Sequence, residues 1–175
     1  MATVIDEKHE KYWLSLKFCE TIRSASRPDM SKVIGMLNEG LPIDSIVVNR
    51  ESFVTLAAFW GHQDLMRELL KRGAPVNHVN LHGDTAFTYA MEKGNRDIVE
   101  MLIDAEADIC HQVRFAHKAP LTLAQKHGWT DIEQKITTAL EVRYLEELPA
   151  LAQRAITVQT PIKAMPSLKL KPKSP

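Results

Sequence analysis

Residues 65–77 read Leu65-Met66-Arg67-Glu68-Leu69-Leu70-Lys71-Arg72-Gly73-Ala74-Pro75-Val76-Asn77, an apolar helical row closed by a glycine. The same pattern returns 33 residues later and stands 33 residues earlier. Val33, Met66 and Val99 share this spacing, as do Met36, Leu69 and Leu102, then Leu37, Leu70 and Ile103, then Ile43, Val76 and Ile109. The helix-ending residues follow, with Gly40 and Gly73, Leu41, Ala74 and Ala107, and Pro42 and Pro75. A fixed period of this length marks stacked supersecondary units, each unable to bury its apolar face alone.

Each repeat reads as helix, tight turn, helix and exposed hairpin-like loop. In the second, Ser52 to Phe59 forms a short helix, Gly61 allows the turn, Leu65 to Lys71 forms another, and Gly73 ends it in a left-handed conformation. The third copies it with Thr85 to Met91, Gly94 and Ile98 to Asp104, but Glu106 replaces the closing glycine. Keeping that geometry costs about 1 kcal/mol of left-handed strain.

These motifs resemble the ankyrin repeat, whose pattern is G-x-T-P-L-H-x-A-A-x-x-G-H followed by an apolar helix ending in L-L-x-x-G-A-x-V-N. Gly83, Asp84, Thr85, Ala86 and Ala90 with Gly94 carry it in the third repeat, and Leu56, Ala57, Ala58, Gly61 and His62 in the second. Ala119-Pro120-Leu121-Thr122-Leu123-Ala124 recovers the family's proline in the fourth. The likeness spans about Lys17 to Leu140 and implies an all-α solenoid. Its repeats fall at about 14–46, 47–79, 80–112 and 113–145, within a domain of residues 1–148. Thr55, Thr88 and Thr122 stand where the family has histidine, Arg50 takes a glycine place, and the first repeat lacks the threonine-proline signature.

The ends read as caps. Glu133 and Thr137 replace the apolar ladder, and Ile132, Ile136, Leu140, Tyr144 and Leu148 form an i, i+4 row, so a helix from about Asp131 to Leu148 is expected to pack back on the stack. Tyr12, Trp13 and Leu16 are expected to extend the first helix and cover the opposite edge.

Composition fits a packed stack, with 45% hydrophobic and 25% charged residues. The neutral total hides a division: residues 149–175 carry Arg154, Lys163, Lys169, Lys171 and Lys173 and no acid, leaving the rest at −5. Prolines 149, 161, 166, 172 and 175 break helices there, so this basic tail is expected to be largely disordered, extended from about Thr157. Beyond a solvated end, its charge would suit an acidic partner or the body's own acidic face. Nucleic acid is disfavoured, because no aromatic interleaves the five charges. Thr160-Pro161 and Ser174-Pro175 are minimal proline-directed phosphorylation patterns.

Charges at Asp6, Glu7, Lys8, Glu10 and Lys11 argue against a cleaved signal, and no run is long and apolar enough to cross a membrane, so a cytoplasmic protein is expected, with the nucleus or a host cytosol left open. Cys19 and Cys110 lie repeats apart and are expected to be free thiols. His78 and His111, stacked one repeat apart, are too distant to share an ion, and no metal or other cofactor is expected. No phosphate loop, dinucleotide fingerprint, H-E-x-x-H or G-x-S-x-G elbow occurs, so neither catalysis nor a small-molecule substrate is expected.

Function then falls to exposed residues. The resemblance implies binding another protein through the concave face and loop tips. By matched position this selects Asn49, Glu51, Phe59 and Trp60 in the second repeat, Leu81, His82, Asp84, Glu92 and Lys93 in the third, and Phe115, His117, Lys126 and His127 in the fourth. Phe59 and Trp60 are the sharpest pair, aromatics where a repeat presents polar groups. Packing beneath a neighbouring loop is the competing reading. The resemblance is shared by adaptors, by inhibitors that occupy a kinase or transcription factor, and by effectors that intracellular bacteria send into host cells; a nucleic-acid-associated regulator using the tail is the remaining alternative.

Overall fold

The computed structural model describes residues 7–23, 28–111 and 119–158, the outer ends of the first and last helices by backbone alone. The chain divides into two compact units, Met1–Ala139 and Leu140–Pro175.

The first unit holds helix pairs: α1 (Glu7–Arg23) with α2 (Met30–Asn38), α3 (Phe53–Trp60) with α4 (Gln63–Lys71), α5 (Ala86–Lys93) with α6 (Arg96–Asp104), then α7 (Pro120–His127) and the start of α8 (Thr130–Val158). Among the described residues the only β pairing is a single bridge between Ile46 and Ser52. No described helix is long and apolar enough to cross a membrane.

Local chemistry sets the helix starts. Ser52 caps α3 by accepting from the Thr55 amide at 3.1 Å, while the Thr55 hydroxyl accepts from the Ser52 amide at 2.7 Å. Thr85 and Thr88 repeat this reciprocal box on α5. Thr55 and Thr88, at the family's histidine positions, are thus used in caps. α7 lacks such a box, because Ala119 at its N-cap has no side-chain oxygen, and it relies on Pro120 in its first turn. After each turn glycine the next amide, of His62, Asn95 and Trp129, donates to the carbonyl of Ala57, Ala90 or Ala124. Gly61 stands at φ 73 with the Asn95 side-chain amide nitrogen 3.0 Å from where a Cβ would lie, so a side chain there would strain the backbone and push Asn95 aside.

Two layers result. α1, α3, α5 and α7 touch in succession on one side, and α2, α4 and α6 on the other. Between them Val33, Met66 and Val99 are buried in one row, and Met36, Leu69 and Leu102 in another. Phe18 and Phe53, with ring centroids 4.2 Å apart, join the first repeat to the second. Side-chain bonds link the outer layer at the same period: Arg72 to Asn38 at 2.9 Å, Gln63 to Asp97 at 2.7 Å and Arg96 to Asp131 at 2.7 Å. Being exposed, they hold register more than they add stability.

The ends differ from the sequence reading. Ile132 and Ile136 are buried, but Leu140 is 38% and Tyr144 60% exposed, so burial along that row stops after one helical turn. α8 also continues past Leu148 to Val158. Pro149 removes one hydrogen bond, and the good helix formers Ala150, Leu151, Ala152 and Gln153 carry the helix on. Residues 159–175, with the lysines and both phosphorylation patterns, lie outside the described residues. At the other edge Tyr12 and Trp13 do extend α1, but at 59% and 66% exposed they are not buried as a cover.

Candidate functional site

The loop leading into α3 carries the local strain. Asn49 and Arg50 stand at φ 59 and 56, the left-handed region, with Arg50 keeping the geometry its missing glycine would have given. Two bonds hold them there: the Leu81 amide of the next repeat donates to the Asn49 carbonyl at 3.2 Å, and His78 Nε2, at the end of the same repeat, bonds the Arg50 carbonyl at 2.7 Å. A carbonyl only accepts, so that ring nitrogen carries the proton. His62 on Ile22 and His127 on Met91 make the same bond to a carbonyl of the preceding repeat, and His111 on Gly83 makes it within the third. Two histidines therefore fasten repeat to repeat and two close a repeat on itself, and no group of three His, Cys, Asp or Glu among the described residues could hold a metal ion.

Beside this loop a buried network forms. Asn80 Nδ2 donates to Glu51 Oε1 and to the Tyr89 hydroxyl, both at 2.8 Å, and the Tyr89 hydroxyl donates to Glu51 Oε1 at 3.1 Å. Asn80 Oδ1 meanwhile accepts from the His82 and Asp84 amides at 2.9 Å each. Burial, then the Glu51 charge, raises the Tyr89 pKa, so the hydroxyl stays a donor. Its ring meets Phe59 edge to face at 5.2 Å, Phe59 meets Trp60 likewise at 5.1 Å, and the Lys93 ammonium sits 4.3 Å from the Phe59 centroid.

Part of this cluster lines one cavity of about 610 Å³. The second and third repeats contribute Asn49, Glu51, Leu56, Phe59, Trp60, His82 and Tyr89, and α1 contributes Trp13, Leu16, Lys17, Cys19, Glu20, Ile22 and Arg23. Burial pushes the Cys19 thiol up to about 11, so it is protonated at neutral pH; Cys19 and Cys110 are both free.

Five of the residues selected from sequence, Asn49, Glu51, Phe59, Trp60 and His82, come together in this groove. Trp60 is 43% exposed, while Phe59 is half-buried. Leu81, Glu92, Lys93 and Lys126 are exposed outside the lining. Asp84 is buried at 4%, because its amide and carbonyl both pair with Asn80 and draw the loop inward. His127 is half-buried and held by Met91 and by Trp129, stacked 4.7 Å away. Trp129 thus packs on α7, with Arg96 of α6 5.8 Å from its ring. Phe115 and His117 lie outside the described residues.

The α1 side of the groove was not anticipated. Its signal is the 3-4-3 spacing of Trp13, Leu16, Glu20 and Arg23 along one helical face. Tyr89 too was legible, standing 33 residues after Leu56.

No curated protein matches the chain. A family model for ankyrin repeats, in three copies, matches residues 24–113, more than half of its length. With helix pairs stacked in two layers at a 33-residue period and loops fastened across repeats, the chain belongs to the ankyrin-repeat family.

Proposed function

We propose that this chain binds a partner protein in the groove between α1, α3 and α5, acting as an adaptor or an inhibitor. Ankyrin repeats are generally protein–protein interaction modules. The observation that carries the reading is the exposure of two tryptophans, Trp13 at 66% and Trp60 at 43%, on one preformed cavity. Large rings with little rotamer entropy to lose are the usual anchors of such interfaces. Apolar positions of the repeat are consumed by stacking, so exposed aromatics on the inner side have no part in the core.

Proximity capture with wild type and with Phe59→Ala plus Trp60→Ala identifies the partner, and titration of that partner measures the loss. The double variant is expected to bind at least about 30-fold more weakly, the scale of a hot-spot residue. Equal capture and equal affinity would remove the groove from consideration. An inhibitor has one tight partner whose activity falls on binding, whereas an adaptor holds two at once.

A further inference from the structure

We infer that the partner enters this groove with a basic side chain, a lysine or arginine, that pairs with Glu51 against the tryptophan rings. The inference rests on the groove being the binding site and adds the chemistry of what it takes.

Glu51 carries the argument. Its Oε1 is doubly bonded by Asn80 and Tyr89, which fix the carboxylate at the groove. Its Oε2 is buried without any hydrogen-bond partner. A carboxylate oxygen shut from water is costly until a donor reaches it, and buried polar atoms left unpaired are uncommon enough to need a reason. Glu51 as a residue is half-buried and lines the cavity, with Oε2 itself closed off from solvent. A shift of the whole Glu51 side chain toward the lining, with Asn80 and Tyr89 following Oε1, would bring Oε2 to a donor in the groove.

The surroundings favour a charged donor over a neutral one. Ionised donors to a carboxylate make bonds roughly twice as strong as neutral pairs. Ring faces attract cations as well, and this cluster already holds one, the Lys93 ammonium over Phe59. Trp13 and Trp60 present exposed rings to the same space. Lys17 and Arg23 on α1 do not bond Oε2, so the lining leaves its acceptor to an incoming group.

The test uses the full chain and random dodecapeptides displayed on phage, selected in parallel on wild type and Glu51→Gln. Glutamine keeps an oxygen for Asn80 and Tyr89 but removes the charge, and thermal melting checks that the variant is folded. Wild type is expected to enrich peptides with one fixed lysine or arginine beside apolar residues, and Glu51→Gln to lose that position while keeping the apolar ones. Synthesised wild-type winners should bind the variant about 10- to 100-fold more weakly, the span of one charge-assisted bond, with the gap narrowing as salt is raised. Winners with no basic position, or the same basic position on both proteins, would overturn the inference and leave the groove reading standing. Enrichment on neither protein would overturn both.

Discussion

Glu106 stands at φ 58 in the place where Gly73 stands at φ 76 one repeat earlier. Its side chain is exposed, so a Cβ in the left-handed region brings strain without evident compensation. Glu106→Gly is expected to raise stability by about 0.5–1 kcal/mol, the relieved strain less the added freedom of the unfolded chain. In a chain of this size that is a rise of about 1–4 °C in melting temperature; a fall would show that the carboxylate contributes something the backbone does not reveal. Cys19 gives a pH dependence. Its thiol ionises near 9 when free and near 11 in the fold, so the folded chain binds the proton more tightly across that interval. Stability is therefore full below pH 9 and declines as pH climbs from 9 to 11, and the raised Tyr89 pKa acts with the same sign at higher pH. Urea midpoints measured across this range should fall for wild type and fall less steeply for Cys19→Ala. A parallel slope would assign the alkaline loss to other groups.

At the scale of elements, the helices divide by how they start. α3 and α5 carry reciprocal boxes, and α7 starts from Ala119 with no side-chain bond to its first turn. Ala119→Ser supplies the missing oxygen, and a gain of about 1 kcal/mol is expected, read as a shift in the urea midpoint at unchanged slope. No shift would mean that the first-turn amides of α7 are already satisfied. Such starts and stops were legible because the residues that decide them sit within one turn of each other: Ser52 with Thr55, Thr85 with Thr88, Gly61 after Trp60. The inward turn of Asp84 was not, since it depends on Asn80, whose own position depends on Glu51 of the preceding repeat, 29 residues away. The same holds for His127. Its bond to Met91 crosses 36 residues, and only the stacked structure brings them together. Five groove residues could be named because matched positions in a periodic chain share a surface, whereas α1 departs from the repeat and gave no position to match. The 17-residue length of α1, against 8 for α3 and α5, is what brings Trp13 and Leu16 to the groove.

For the whole molecule, linear stacking determines how far binding is felt. Each repeat touches only its neighbours, so stability is close to a sum of local and nearest-neighbour contributions. The groove draws on three successive repeats through α1, α3 and α5, and a partner seated there must hold all three closed together. Bound partner at about 100 times its Kd stabilises those repeats by about 2.7 kcal/mol, or about 100-fold in amide protection. Hydrogen exchange with and without partner is expected to show that gain in residues 13–23, 53–60 and 86–93, with less in α7, whose one inner-layer neighbour is α5. The histidine bonds from His78 to Arg50 and from His111 to Gly83 pass the constraint along the loops, so their amides gain before those of α7 do. A gain confined to α6 and α7 would place the partner on the other end of the stack, and the exposed tryptophans would then need another occupant.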